Sequence, residues 1–297
     1  MTFGEFEKIT RLEEPLASHT TFGIGGAAQV LVTPRTIDEL CDVVAMWHGE
    51  NLPLYVLGRG SNVLVSDSGV RGIVVSTRRL SRVDRDGTTV FAEAGAFLPR
   101  VVNLATVWGL TGFEPCVGIP GTVGGALAMN AGGRHGTVSN ILRTVTIIES
   151  DGSLKTLERE DICFGHRDSA LKGTVIAKAT FDLEECRPGN VSNRCRVILG
   201  DKKKTQPMST KNAGCIFKNP PGESAGKLID AAQLKSLRVG GARISRKHAN
   251  FIVNCGKASA RDVLTLIATA RREVAERFDV ALRPEVQMWG FESPRNL

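Results

Sequence analysis

Residues 118 to 133 read GIPGTVGGALAMNAGG, and no other stretch restricts what the chain can fold into so tightly. The run is too long and too small-residued for a simple turn. Glycines let backbone come close to backbone, or to a flat ligand, where a side chain would intervene. Pro120 stiffens the entry, and Thr122 and Asn130 offer polar contacts. Two readings fit the run: a tightly packed structural loop, or a cradle for a flat ligand.

Two further glycine loops precede it. Gly23 to Ala28 matches G-x-G-x-x-A, the dinucleotide fingerprint, which requires a strand before it and a helix after it. That context is missing. ASHTTF before it is no buried strand, and VLVTP after it is β-branched and ends in Pro34, so no helix N-terminus is there to hold a pyrophosphate. The second loop, Gly58-Arg59-Gly60-Ser61-Asn62, lies between two short strand-like runs, where consecutive backbone N–H groups converge into an anion-binding concavity and Ser61 and Asn62 add donors. A plain turn is the other reading. No G-x-x-x-x-G-K-[ST] phosphate loop occurs in the chain.

The surroundings of these loops predict an α+β fold. A helix opens at 36 to 40, with Thr36 as cap and Leu40, Val43, Val44 and Trp47 at helical spacing. The period then changes to short apolar or β-branched runs at 54–57, 63–65 and 73–76, joined by glycine turns, and a second helix follows at 98–108. Residues 143 to 157 read as a tight hairpin around Asp151-Gly152, and 174–183 as another strand. EECRPGNVSN breaks the pattern, which places the expected boundary between a domain at 1–188 and one at 189–297. In the latter, helices are expected at 226–234 and 259–278, the last opened by a Ser259-x-x-Asp262 capping box, with a strand-like run at 248–254. A length of 297 residues fits two domains.

Composition narrows the function classes. The seven cysteines are scattered with no C-x-x-C, which argues against a disulfide framework and a zinc ribbon and favours a reducing cytoplasm; no metal site is expected. The stretch MTFGEFEKITRLEEPL holds four glutamates and no apolar core, and no run is long enough to span a bilayer, so neither a signal peptide nor a membrane segment is read. A net charge of +7 points either to nucleic acid or to small anions. With aromatics at 5% and no aromatic interleaved in Lys202-Lys203-Lys204, nucleic acid is disfavoured, and that run is expected to be the solvated end of a helix.

Seven segments, in order and at suitable spacing, give the chain a closer likeness. TTFGIGGAA (20–28), VLGRGSNVLV (56–65), GIPGTVGGALAMNAG (118–132), FGHRDS (164–169), NAGCIFKNP (212–220), HANFIVN (248–254) and RPEVQMWG (283–290) together resemble the UDP-N-acetylenolpyruvoylglucosamine reductases, over nearly the entire chain. The compact 237–248 stretch is similar to the shorter class of that family, which lacks an extra tyrosine-bearing loop.

The resemblance implies a FAD-binding domain of the vanillyl-alcohol-oxidase (PCMH) type, built from two α+β subdomains, followed by an α+β substrate domain. It makes the second and third glycine loops the cradle of FAD, through Gly58, Arg59, Gly60, Ser61, Asn62, Gly118, Ile119, Pro120, Gly121, Thr122, Gly124, Gly125, Asn130, Ala131 and Gly132. The implied reaction uses NADPH to reduce the flavin and then passes hydride to the enolpyruvyl ether of UDP-N-acetylglucosamine enolpyruvate, giving UDP-N-acetylmuramate for peptidoglycan. Arg167 matches the family's catalytic arginine, whose fork suits a carboxylate gaining charge. Glu285 matches the acid held against the enolic intermediate. Cys215 takes the proton donor's position; an ordinary thiol, with a pKa near ~8.5, stays protonated at neutral pH yet gives up its proton more readily than a hydroxyl. Taken without its motif, an isolated cysteine reads as a small buried hydrophobe. Lys218 and Asn219, with His248 and Asn250, are the expected substrate contacts, and a monomer is the expected assembly.

Two departures stand out. His166 and Arg134 occupy positions where the family commonly has tyrosine, which bears on flavin stacking and nucleotide contacts. Two alternatives stay in view: a PCMH-type flavin oxidase or dehydrogenase acting on an alcohol, and a catalytically silent flavin or UDP-sugar binding protein. The first has no reason to keep NAGCIFKNP and RPEV together, and the second none to keep Arg167, Cys215 and Glu285.

Overall fold

The computed structural model describes residues 4–48 and 52–291; the first three residues of the stretch read for a signal segment lie outside them. The chain divides into two compact units, each assembled from separated pieces: Met1–Leu12, Val30–Arg59 and Gly72–Lys202 in the first, Glu13–Gln29, Gly60–Arg71 and Lys203–Leu297 in the second.

The first unit opens with α1, Ile37–His48. Thr36 Oγ1 accepts the Glu39 N–H at 3.1 Å while Glu39 Oε2 accepts the Arg35 N–H at 2.7 Å, so the start of the helix is capped from both directions. Leu40, Val43, Val44 and Trp47 form one stripe and pack with Val30, Val32, Ile73 and Val75, strand residues whose alternation turns them to the same side. Each of these buried side chains is worth about 1.5–3 kcal/mol of transfer free energy. The strands belong to a four-stranded sheet in the order 10–15, 27–32, 70–76, 54–57, with Leu54–Leu57 parallel to 73–76.

A second, antiparallel sheet of five strands follows, in the order 154–158, 142–148, 175–182, 89–93, 83–86. Its core also takes in α2, Leu98–Val107, and α3, Val123–Ala128. The hairpin expected around Asp151-Gly152 forms: beyond the Ile148–Leu154 pair the Glu149 N–H donates to the Ser153 carbonyl at 2.9 Å, and the Gly152 N–H closes the turn on the Glu149 carbonyl at 3.0 Å. Asp151 Oδ1 accepts from the Ser153 N–H and hydroxyl within that turn, which fastens it further.

The segment read as a break is instead the head of a long helix, α4, Pro188–Thr205. Proline is at home in a first helical turn, because the N–H it lacks would find no partner there. Val191, Cys195, Ile198 and Leu199 lie at helical spacing, and the last three pack on the core of the five-stranded sheet.

In the second unit, α5, Ala225–Ala231, and α6, Ala260–Phe278, pack with a four-stranded antiparallel sheet ordered 211–212, 252–254, 242–244, 238–239. Val263, Leu266, Ile267, Ala270 and Val274 form the fully buried stripe of α6. The predicted capping box is present: Ser259 Oγ accepts the Asp262 N–H and Asp262 Oδ2 accepts the Ser259 N–H, both at 3.0 Å. Asp67 takes two more of the helix's free N–H groups, from Ala260 at 2.8 Å and Arg261 at 3.1 Å. Only 252–254 of the strand-like run 248–254 is strand; 248–251 form a turn closed by the Phe251 N–H on the His248 carbonyl. The GIGGAA segment runs into the strand Ala27–Val32, in agreement with the rejected dinucleotide reading. Gly26 donates to the Ser66 carbonyl at 2.8 Å, and a Cβ on Gly25 would fall 2.6 Å from that of Val65, so these glycines serve close packing within the unit.

Candidate active site

In the first unit the loop at 118–132 is threaded onto the end of the strand 89–93. Gly124 donates to Ala94 O at 2.8 Å, Val123 to Ala96 O at 3.0 Å, and Leu98 to Gly121 O at 3.1 Å. Thr122 caps α3 by accepting the Gly125 N–H at 3.3 Å. Gly58 faces Thr122 so closely that a Cβ would lie 2.4 Å from its Oγ1, and the Gly58 carbonyl accepts from Arg78 Nε at 3.1 Å. Arg59 lays its guanidinium 4.6 Å from the centre of the Phe97 ring. By contrast, Gly133 has open space where a side chain would project, and Gly125 has only Thr122 at 3.4 Å. Gly118 turns the chain at φ 72, Ile119 packs partly on the core, and Pro120 is exposed.

Asn130 is the unusual member of this loop. Its backbone is left-handed at φ 43, a cost for a residue with a Cβ, and its side chain is buried. Nδ2 donates to Gly165 O at 2.9 Å, but the buried Oδ1 has no hydrogen-bond partner among the described residues. Next to it Ala131 is buried and Gly132 pairs across to Thr137.

Arg167 stands at the tip of a two-stranded hairpin, Phe164–Gly165 against Asp168–Ser169, again left-handed at φ 54. Both legs are fastened to the glycine loop: Gly165 O accepts from Asn130, and the Ser169 hydroxyl shares its proton between Leu127 O and Ala128 O, both at 2.9 Å. The guanidinium therefore projects from a turn with little freedom. His166 beside it is exposed, and Arg134 pairs with Asp201 at 3.0 Å on α4.

Lys202 differs from its expectation as a solvated helix end. Lys203 and Lys204 are exposed, but Lys202 is half-buried and donates to Val117 O at 2.6 Å, just before Gly118. Burial, and after it the charge of Arg167, lowers its ammonium below the usual value, with Cys116 pulling the other way. Burial pushes the Cys116 thiol up to about 12 against the pull of Lys202 and Arg167, so this cysteine is inert. The helical register was the signal for Lys202: 191, 195, 198, 199 and 202 share one face.

The second unit holds Cys215 in a lattice of main-chain bonds. Ile216 N donates to Asn250 O at 2.8 Å; on its other side Ile216 O accepts from Glu285 N at 2.7 Å, and Lys218 N reaches Arg283 O at 2.9 Å. The buried Asn250 side chain acts like a missing strand, Oδ1 accepting the Phe217 N–H at 2.9 Å and Nδ2 donating to the Phe217 carbonyl at 2.8 Å. Cys215 and Glu285 are thus carried on neighbouring segments, and both are half-buried. Asn62 joins them, with Nδ2 on Glu285 O at 3.3 Å and its carbonyl taking the Gln287 N–H at 2.9 Å. Thr21 ties Gly60 O and Asn212 O together through its hydroxyl, and Ser61 runs beside Gly214.

Among the residues expected to touch substrate, Lys218 is half-buried with its N–H in the lattice. Asn219 Oδ1 accepts the Ala225 N–H at 3.1 Å at the start of α5, and the Asn250 side chain bonds both backbone groups of Phe217, so both amides hold the chain around the site. His248 Nδ1 faces the Asn250 N–H at 3.3 Å; burial first, then Lys235, lowers its imidazole, which keeps it neutral at pH 7.

The class is that of a FAD-binding protein: a FAD binding domain matches residues 28–158, a span that includes the glycine loop and its unsatisfied buried acceptor. The model of the UDP-N-acetylenolpyruvoylglucosamine reductase C-terminal domain matches 206–289. The chain belongs to the UDP-N-acetylenolpyruvoylglucosamine reductase family and is a flavin-dependent oxidoreductase acting on a C=C bond. Reductases of that name from Symbiobacterium thermophilum and Moorella thermoacetica are 44% and 42% identical to it, covering 94% and 97% of this chain and 92% and 97% of their own length. The crystal structure of the reductase from Thermus caldophilus superposes with a TM-score of 0.82 at 40% identity, over 94% of this chain and 98% of that one. No helix among the described residues is long and apolar enough to cross a membrane.

Proposed function

We propose that the chain reduces UDP-N-acetylglucosamine enolpyruvate to UDP-N-acetylmuramate, with NADPH as the reductant and FAD as the carrier, in peptidoglycan precursor synthesis. The observation that carries this reading is the Ile216 carbonyl on the Glu285 N–H at 2.7 Å, which ties the segments bearing a proton donor and an acid to each other. The division of labour follows the proposed domains, FAD on the N-terminal one and substrate on the C-terminal one.

The residues present fit the flavin: the orphaned Oδ1 of Asn130 suits a ring N–H, and the open faces of Gly125 and Gly133 leave room for a flat group. Gly58, Arg59, Gly60, Ser61, Asn62 and the loop 118–132 would hold it. When bound, FAD supplies the hydride, taken from the nicotinamide and given to the vinyl carbon. Arg167, stiffened by its hairpin, pairs its fork with the substrate carboxylate as charge grows there. Cys215 gives its Sγ proton to the neighbouring carbon, and solvent restores that proton for the next turnover. Glu285 is held against the enolic oxygen, and Lys218 reaches an anionic group of the substrate. A cytoplasmic monomer is the proposed setting; the seven free cysteines suit a reducing compartment.

The test is anaerobic. After NADPH has bleached the bound flavin, the UDP-linked enolpyruvyl sugar should restore its absorbance and yield the lactyl ether, whereas an unchanged spectrum refutes the reading. Cys215→Ala should bleach at the normal rate and form no product.

A further inference from the structure

The ammonium of Lys202 is half-buried, carries no carboxylate partner among the described residues, and makes a single hydrogen bond, 2.6 Å to the neutral Val117 carbonyl. Desolvating a cation without an opposite charge is unfavourable, and an ammonium has three donors, so two N–H groups here find no acceptor among the described residues. Its position is set from three sides. The buried face of α4 carries it inward, the Val117 carbonyl fixes it beside the entry to the glycine loop, and Arg167 lies within electrostatic reach.

We propose that Lys202 is a second cation of the Arg167 site and seats an oxyanion, carboxylate or phosphate, of the reacting ligand. The proposal rests on the reading of Arg167 given above. A point-charge ammonium on a helix and a fork on a hairpin divide the work: Arg167 fixes the plane of the anion, and Lys202 adds charge without demanding a particular angle. Its bond to Val117 O also lets ligand binding register on the conformation of the Gly118 turn.

The holoenzymes of wild type, Lys202→Gln and Lys202→Arg decide the matter when the two half-reactions are followed separately over a range of ligand concentration, with inorganic sulfate as a competing probe. Gln retains a neutral donor for Val117 O and removes the charge. It should weaken one ligand by about tenfold to a hundredfold, the worth of one charge-assisted contact, and abolish sulfate inhibition, while FAD content and the flavin spectrum stay as in wild type. Arg should recover most of both. Loss in the flavin-reduction arm assigns the oxyanion to the nucleotide reductant, and loss in the reoxidation arm to the UDP-sugar substrate. Unchanged concentration dependence in both arms overturns the proposal, as does a loss of FAD that Arg fails to repair, since the lysine would then only support the loop. Sulfate that never competes with either ligand in wild type overturns it without any variant. Failure of the functional reading itself shows differently, as a wild-type enzyme whose reduced flavin the substrate cannot reoxidise.

Discussion

Asn250 does with an amide what a neighbouring strand would do with its backbone, and it does so next to the residue expected to protonate the substrate. Asn250→Leu keeps the volume and leaves the Phe217 N–H and carbonyl unpaired, at about 1–3 kcal/mol for each group. The expected outcome in stopped-flow measurements is a flavin that NADPH still reduces at the wild-type rate but that substrate reoxidises slowly, because Cys215 loses its fixed register against Glu285. Equal slowing of both steps would contradict this. Single residues were legible to very different degrees. Cys215, Arg167 and Glu285 stand out only through the motifs around them, since a lone cysteine or a surface arginine has no pattern of its own. Asn250 and Asn219 sit in equally distinctive motifs, but the bonds their side chains make to backbone groups at residues 217 and 225 were not legible, because which polar partner an amide finds depends on tertiary pairing that no local spacing encodes.

At the scale of elements, the N-terminus of α6 shows how much local chemistry can be read in advance. The Ser259-Asp262 box was visible as a spacing and forms as such, while the contribution of Asp67 comes from almost two hundred residues away and was not visible. Replacing Ser259 by Ala should cost about 1 kcal/mol in urea unfolding. The Ser259 N–H, then that of Gly241, holds the Asp262 carboxyl below the usual aspartate value. Burial alone would raise Glu114, but the Gly112 N–H, the Thr111 hydroxyl and Arg194 outweigh it and leave that carboxyl lowered too. Both groups bind protons less readily folded than unfolded. The stability they contribute is therefore present above the unfolded values, near ~4, and is lost as pH falls through the lowered folded values. Urea midpoints should drop between neutral pH and pH of about 3, and Asp262→Asn should flatten that drop. A slope unaltered in the variant would count against the assignment. The head of α4 was misread for a converse reason: Pro188, Gly189 and Asn190 signal a loop, and the apolar register that overrules them begins only at Val191.

For the whole molecule, the family and the α+β class were readable because they rest on several motifs at once, each weak when taken singly. The interleaving of two compact units in six pieces was not, because a composition break can mark only a single cut. A fragment ending at residue 188 stops at the first residue of α4 and contains 13–29 and 60–71 without the rest of their unit. It should give no cooperative thermal transition and hold no flavin, while the intact chain should gain about 2.7 kcal/mol of stability when FAD is present at a hundred times its dissociation constant. A cleanly melting, yellow fragment would contradict the first expectation.

The same interleaving bears on biosynthesis. Residues 13–29 and 60–71 leave the ribosome long before 203–297 exist, and at translation rates of about 5–20 residues per second the wait is on the order of ten seconds or more. Phe22, Ile24 and Leu64, all deep in the finished core of the second unit, have none of their C-terminal partners during that interval. The nascent polypeptide must carry these side chains bare or shielded by a chaperone until the last third of the message has been read.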